Sequence, residues 1–287
     1  MRKYAVLPIV LFALAAFTPG AGAAAQKAKS IQIKGSDTMV NLGQAWAEAF
    51  SKRTPGVNIA VTGGGSGTGI TALLSGTCDI AESSRIMEDK ELKQAAAKGI
   101  KPIEEKVALD GIAVVVHPKN PVKNLTIDQL REVFMGNITN WKVLGGANKP
   151  IVILSREVNS GTHIFLKEHV LRKGKAKGPE EFAPSALMMP SSQAIADEVA
   201  GNENAIGYYG MGYIGPKQKV IAVAKDAQSP YVEPTIDSVK TDLYPISRPL
   251  ILYTNGTPQG IIRDFIDFVY SKEGQEIVKK LDFVPVK

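Results

Sequence analysis

An α/β fold is predicted for this chain by three features of its sequence. Short β-branched runs alternate with amphipathic segments along nearly the whole length. An almost continuous apolar run, Val107 to Val116, sits near the middle and reads as a buried strand. Loops rich in glycine, serine and threonine stand where strands give way to helices. The length, 287 residues, allows one large domain or two medium ones. With 44% hydrophobic and 22% charged residues the composition is globular, which excludes wholesale disorder.

The first segment is not part of that fold. Met1-Arg2-Lys3 is a short basic start, Tyr4 to Phe17 is apolar apart from Pro8, and small residues around Ala21-Gly22-Ala23 and Ala23-Ala24-Ala25 suit cleavage. This is the pattern of a secretory signal peptide, assigned to residues 1–25. The run is short of the roughly 20 residues that a membrane span needs. No Cys lies near the cleavage site to carry a lipid anchor. The mature chain is therefore expected to be an exported, periplasmic protein. Without Arg2 and Lys3 it carries 32 basic against 28 acidic residues, a spread and modest excess that disfavours nucleic acid as a partner.

The elements then follow in order. Ser30 to Lys34 alternates like a strand, and Gly35-Ser36-Asp37-Thr38 supplies turn and capping residues. Met39, Leu42, Trp46, Ala49 and Phe50 share one face of a helix that Thr54-Pro55-Gly56 stops. Val57 to Val61 is a second strand; it runs into the loop Gly63 to Gly69 and a short apolar helix, Ile70 to Leu74. Asp79 to Ala81 is a third strand, and Asp89 to Lys98 a helix closed by Gly99. After the central run come a helix at Leu125 to Met135, a strand at Ile151 to Leu154 and the loop Ser155 to Thr162, which opens another helix. Ser191 to Ala200 is helical, Ala205 to Tyr208, Val220 to Val223 and Leu250 to Tyr253 are strands, and Gln259 to Leu281 holds two helices.

Three loops share one design: Gly35-Ser36-Asp37-Thr38, Gly65-Ser66-Gly67-Thr68 and Ser160-Gly161-Thr162. Each follows a strand and offers hydroxyls and small residues at a helix start. There the first N–H groups have no partner within the helix, and an oxyanion is favoured. In an open α/β sheet such loops converge beyond the carboxyl ends of the strands. Arg85 and Arg156 adjoin these loops, and guanidinium matches an oxyanion in bidentate fashion. The glycine loop lacks the Lys of a P-loop, and from Gly63 and Gly65 the third position of a dinucleotide fingerprint is Thr68. Gly64-Gly65-Ser66-Gly67-Thr68 lacks the last glycine of a nucleophile elbow. Ser160 lies three residues before His163, but nothing nominates a carboxylate to complete a triad. A secreted phosphoester hydrolase is the enzyme alternative, and a non-enzymatic receptor is the expectation. One Cys, Cys78, and three His leave no set for a metal centre or a disulfide framework, so no cofactor is expected.

Taken together and in order, several segments resemble the PstS-like phosphate-binding proteins of ABC transporters. They are Gly35 to Met39, Gly63 to Gly69, Asp79 to Arg85, Phe134 to Trp141, Arg156 to Thr162 and Ala205 to Tyr208. The resemblance implies a two-lobed periplasmic binding protein of type II-like architecture, monomeric, with phosphate in the cleft and an inner-membrane permease as partner. It implies lobe one at 26–112 plus 248–287 and lobe two at 113–247. It implies a site of Ser36, Asp37, Thr38, Met39, Ser66, Ser84, Arg85, Arg156, Ser160, Gly161 and Thr162. The chain departs from the family pattern at Ser84, where well-known members place a carboxylate that accepts a proton of bound phosphate. Asp37, or else Glu82, is the expected substitute acceptor. Sulfate or molybdate remains an alternative ligand.

Overall fold

The computed structural model describes residues 29–287; the expected signal peptide, 1–25, lies outside the described residues. Strand β1 (Lys29–Gly35) leads through a single 3-10 turn, Asp37–Met39, into helix α1 (Val40–Arg53). There follow β2 (Val57–Thr62), α2 (Ser66–Leu74), β3 (Ile80–Ser83), α3 (Asp89–Ala97) and the long β4 (Pro102–Val116). The middle of the chain holds β5 (Asn124–Thr126), α4 (Ile127–Phe134), β6 (Val152–Arg156), α5 (Gly161–Leu166), β7 (Leu187–Met189), α6 (Ser192–Gly201), β8 (Ala205–Gly210), β9 (Lys219–Ala224) and α7 (Ile236–Lys240). Strand β10 (Ser247–Asn255), α8 (Gly260–Val269), α9 (Lys272–Lys280) and β11 (Val284–Pro285) complete it.

The strands form one curled sheet whose main path runs β2-β1-β3-β10-β4-β8-β6-β7. β1 pairs in parallel with β2 and β3, and β6 in parallel with β8 and β7. Between these two parallel halves, β10 and β4 run antiparallel and carry the connection. β4 changes partners along its length. Residues 102–111 pair with β10, and 112–116 pair with β8 and β9. A strand that serves two halves must be apolar on both faces where they meet, and Ile112 to Val116 are all fully buried.

Helix packing follows the apolar stripes. Leu42, Trp46 and Phe50 of α1 are buried, and the Trp46 indole N–H donates to the Gly274 carbonyl at 2.8 Å, tying α1 to α9. Trp141 is likewise core, with its indole N–H on the Asn204 carbonyl at 2.9 Å. Helix α2 lies so close on β1 that a side chain at Gly69 would collide with the Lys34 carbonyl. Thr126 caps α4 through a reciprocal box with Gln129. Cys78 is a small buried side chain, and burial, the main cause, pushes its thiol up to about 11.

Several element bounds differ from those expected. Helix α2 starts at Ser66 rather than Ile70, because Gly65 at φ +94° turns the chain directly into the helix. β4 and β10 extend beyond the apolar runs that mark them: Glu104 and Glu105 at the start of β4 lie opposite Tyr253 and Leu252 of β10. β7, with three residues, and α7, with five, are too short to show a period.

Candidate functional site

Four strand ends of the two parallel halves deliver hydroxyls to one place. β1 hands over to Ser36 and Thr38, the glycine loop after β2 to Ser66, β3 to Ser84, and β6 to the loop Ser160–Thr162. These hydroxyl residues are at most 2% exposed. Thr38 Oγ1 and Thr162 Oγ1 are 3.0 Å apart across the two halves. The Ser36 hydroxyl donates to Ser84 Oγ at 2.9 Å, and Ser66 Oγ lies 3.3 Å from Ser84 Oγ. Ser66 Oγ also accepts the Ser84 amide at 3.0 Å. Ser160 Oγ accepts the amides of Thr162 and His163 at 3.2 and 3.4 Å, as a helix cap does. Gly161 is packed so closely on the Ser66 and Ser84 hydroxyls that any side chain there would overlap them. Met39 is buried, and its amide donates to the Ser36 carbonyl at 3.0 Å.

The charged residues divide. Arg156 is 1% exposed; its Nη1 donates to Asp37 Oδ2 at 3.0 Å and to Ser192 Oγ at 3.1 Å. Its Nε and Nη2 hold Glu157 at 3.0 and 2.9 Å. Burial works against that guanidinium's charge, but Glu157 and Asp37 outweigh it and raise its pKa. Asp37 Oδ2 also accepts the Ser192 amide at 2.8 Å, and the Tyr213 hydroxyl donates to the Asp37 carbonyl at 2.8 Å. Asp37 thus joins β1 to three groups of the other half. Arg85 makes no hydrogen bond to the hydroxyl cluster. Its guanidinium holds Glu91 in a bidentate pair at 2.8 and 2.7 Å and the Ile86 carbonyl at 3.0 Å, at the start of α3.

An arginine that the loop patterns do not reveal takes the central place. Arg248, on β10, has a fully buried side chain. Its Nη2 donates to Thr38 Oγ1 at 3.2 Å, Thr162 Oγ1 at 3.0 Å and Asp110 Oδ2 at 2.8 Å. Nε holds the same Asp110 oxygen at 3.0 Å, and Nη1 donates to the Ser84 carbonyl at 3.1 Å. Asp110 Oδ1 accepts the Met211 amide at 3.0 Å. Burial pushes the Asp110 carboxyl up and Arg248 pulls against it. A signal for the pair exists in the sequence: Asp110 is the one charged residue inside Val107 to Val116, and Arg248 stands two places before the apolar run of β10.

Glu82 is fully buried on β3, its Oε1 filling the place a side chain at Gly43 would take, and neither carboxyl oxygen has a hydrogen-bond partner among the described residues. Burial holds its carboxyl well above the ordinary value. His163 Nδ1 is 3.2 Å from Ser155 Oγ, not on Ser160, and burial, its main perturbation, pulls the imidazole down to about 4. No group of His, Cys, Asp and Glu among the described residues is arranged to hold a metal ion.

The architecture around this cluster, two parallel half-sheets joined by antiparallel strands, has a counterpart in sequence. A sequence model of the PBP superfamily domain matches residues 20–273. The chain belongs to the PBP superfamily. Within it, the chain is 35% identical over 269 residues to the phosphate-binding protein PstS of Pseudomonas aeruginosa, covering 88% of this chain and 81% of that one. It is 33% identical to PstS of Bacillus subtilis, over 90% and 81% of the two chains. Among solved PBP structures, a phosphate ABC transporter substrate-binding protein of Clostridium perfringens with phosphate bound superposes with TM-score 0.81 at 35% identity. It covers 90% of this chain and all of that one. An ABC-type phosphate transport receptor of Vibrio cholerae gives TM-score 0.71 at 29% identity, over 90% and 100% of the chains. The PstS-like resemblance and the periplasmic-binding-protein fold expected from sequence are therefore both found. No helix among the described residues is long and apolar enough to cross a membrane.

Proposed function

We propose that this protein is the receptor of an ABC-type phosphate transporter: it takes up inorganic phosphate in the periplasm and presents it to an inner-membrane permease. The observation that carries this reading is the meeting of Thr38 and Thr162, 3.0 Å apart, with Arg248 donating to both. These hydroxyls come from the two opposite halves of the sheet, so an oxyanion held by both favours the closed arrangement. The division proposed is 26–112 plus 248–287 for one lobe and 113–247 for the other, and the exchange of β10 for β8 by β4 at residues 111–112 supports it. Thr38, Ser66, Ser84, Ser160 and Thr162 donate to the anion, the Ser36 hydroxyl donates to Ser84 and so turns the Ser84 hydrogen toward the anion, and Gly161 leaves room for it. Arg156 and Asp37 clasp the lobes beside it. Arg85 is assigned to the start of α3 rather than to the ligand.

The hydrolase alternative lacks support at Ser160. Its nearest base candidate, His163, faces Ser155, and Ser160 already accepts two amides. The test is isothermal titration calorimetry of the ligand-stripped chain with inorganic phosphate. One-to-one binding that Thr162→Val weakens about tenfold is expected from loss of one buried donor. Absence of phosphate heat, or hydrolysis of a phosphoester by the purified chain, overturns the reading.

A further inference from the structure

We propose that Arg248 is a positioning residue: it grips helix α5, which carries Thr162, and so sets how long the closed cleft keeps its anion. This rests on the phosphate reading and assigns the control of release at that site. Arg248 and Asp110 face each other at one register position of the connecting strands β10 and β4, and both side chains are fully buried. β4 exchanges partners just beyond Asp110, at residues 111–112. Asp110 Oδ1 accepts the amide of Met211, which follows β8. A side chain at Gly210, the last residue of β8, would collide with both Asp110 and Thr38. The ion pair therefore sits where the two halves of the sheet meet.

From that place the guanidinium reaches both halves. On the first it donates to the Ser84 carbonyl through Nη1 and to Thr38 Oγ1 through Nη2. On the second it meets α5 twice. Nη2 donates to Thr162 Oγ1 at 3.0 Å, and the Phe165 ring centroid lies 5.8 Å from the guanidinium carbon, within reach of a cation–π contact. Thr162 and Phe165 are three positions apart, on one face of α5. Nη2 has two hydrogens for three acceptors, so the one not given to Asp110 is shared by Thr38 and Thr162, one residue from each half. Phe165 in turn stacks on His169 at 5.1 Å, and His169 Nε2 donates to the Pro245 carbonyl at 2.8 Å. The short stretch from Pro245 to Arg248 thus holds α5 and the turn after it at two points.

A buried ion pair adds little net stability over apolar residues of the same volume. What distinguishes this one is where its spare donors go. Opening the cleft parts Thr162 from Thr38, because they belong to opposite halves. Arg248 is tied to Ser84 and Asp110 and stays with the first half, so its bond to Thr162 and its contact with Phe165 break on opening. Contacts that exist only in the closed cleft slow release and leave the encounter with the anion untouched.

The experiment follows radiolabelled phosphate as it binds to the ligand-stripped chain and is chased from it, by rapid filtration. Four proteins form a cycle: wild type, Thr162→Val, the double variant D110N/R248M and the triple variant D110N/R248M/T162V. The double variant keeps the acceptor for Met211 and the packing stem, and it strands no charge. It is expected to release phosphate about tenfold faster, with an association rate within about threefold of wild type. Thr162→Val is expected to speed release about tenfold in the wild-type background. In the double variant it adds less than about threefold, because the hydroxyl has already lost its anchor, whereas a merely structural pair gives full additivity. Arg248→Lys keeps the charge beside Asp110 on a shorter stem without the fork, and it replaces the double variant if that protein shows no cooperative urea unfolding. The same acceleration and the same non-additivity are expected of it. Additive effects, an unchanged release rate, or a loss of affinity carried by association each overturn the proposal alone. No phosphate binding by the wild type overturns the receptor reading, and this proposal with it.

Discussion

Arg85 and Arg248 are both buried, both paired with a carboxylate, and differ in what else they reach. Arg85 follows a serine pair in a loop that the pattern of the chain marks as functional, yet its fork closes on Glu91 and caps the turn into α3. Arg248 lies inside a strand, beside a proline, where an ordinary reading places core. It nevertheless reaches hydroxyls of both halves of the sheet. The difference teaches that a buried ion pair is either a strut or a part of a site according to which polar groups share its donors. Proximity in sequence to a glycine–serine loop does not decide it. Replacing a buried pair by apolar groups is often harmless, whereas removing one partner strands the other charge.

That contrast can be broken by substitution. The largest effect is expected from Arg156→Ala, which strands Asp37 and Glu157 and removes the clasp between the halves. Loss of about 3–5 kcal/mol in urea unfolding is expected, with phosphate affinity down more than about a hundredfold. Retention of tight binding would show that the clasp is not needed for closure. Glu91→Ala should cost about 3 kcal/mol of stability by the same mechanism, while calorimetry shows phosphate affinity changed by less than about threefold. A large loss of affinity there would return Arg85 to the ligand site.

Glu82 sharpens the comparison, because it is a buried ionisable group with no hydrogen-bond partner among the described residues. Its folded-state pKa is raised by burial, so its contribution is complete below the ordinary carboxyl value of 4.5 and is lost as pH rises toward the raised value. The difference in unfolding free energy between wild type and Glu82→Gln should therefore fall as pH rises above 4.5, the variant showing no such decline from this position. Parallel curves for the two proteins would mean that a hydrogen-bond donor or a cation holds the Glu82 carboxylate ionised and cancels the effect of burial. The smallest effect is expected at the rim. Asn159 Nδ2 donates to the Gly64 carbonyl at 2.8 Å and to Thr68 Oγ1 at 2.9 Å across the cleft. These bonds are solvent-accessible, so Asn159→Ala should speed phosphate release in stopped-flow only a few-fold.

Much was legible in the sequence by itself. The alternation of β-branched and amphipathic segments specifies an α/β chain, because side-chain periodicity is a local property of each element. The hydroxyl and glycine loops at Ser36, Ser66 and Ser160 were readable for the same reason: caps and tight turns are built from neighbouring residues. Tertiary structure alone decided which loops share a cavity, and it decided the fate of each arginine. Arg248 lies 138 positions from Asp110 and 210 from Thr38. Their meeting depends on β10 returning beside β4, and no local pattern encodes a strand pairing across that distance. Glu82 is the same lesson in reverse: its sequence context matches a ligand loop, and only the fold sets its carboxyl beside Gly43 of α1.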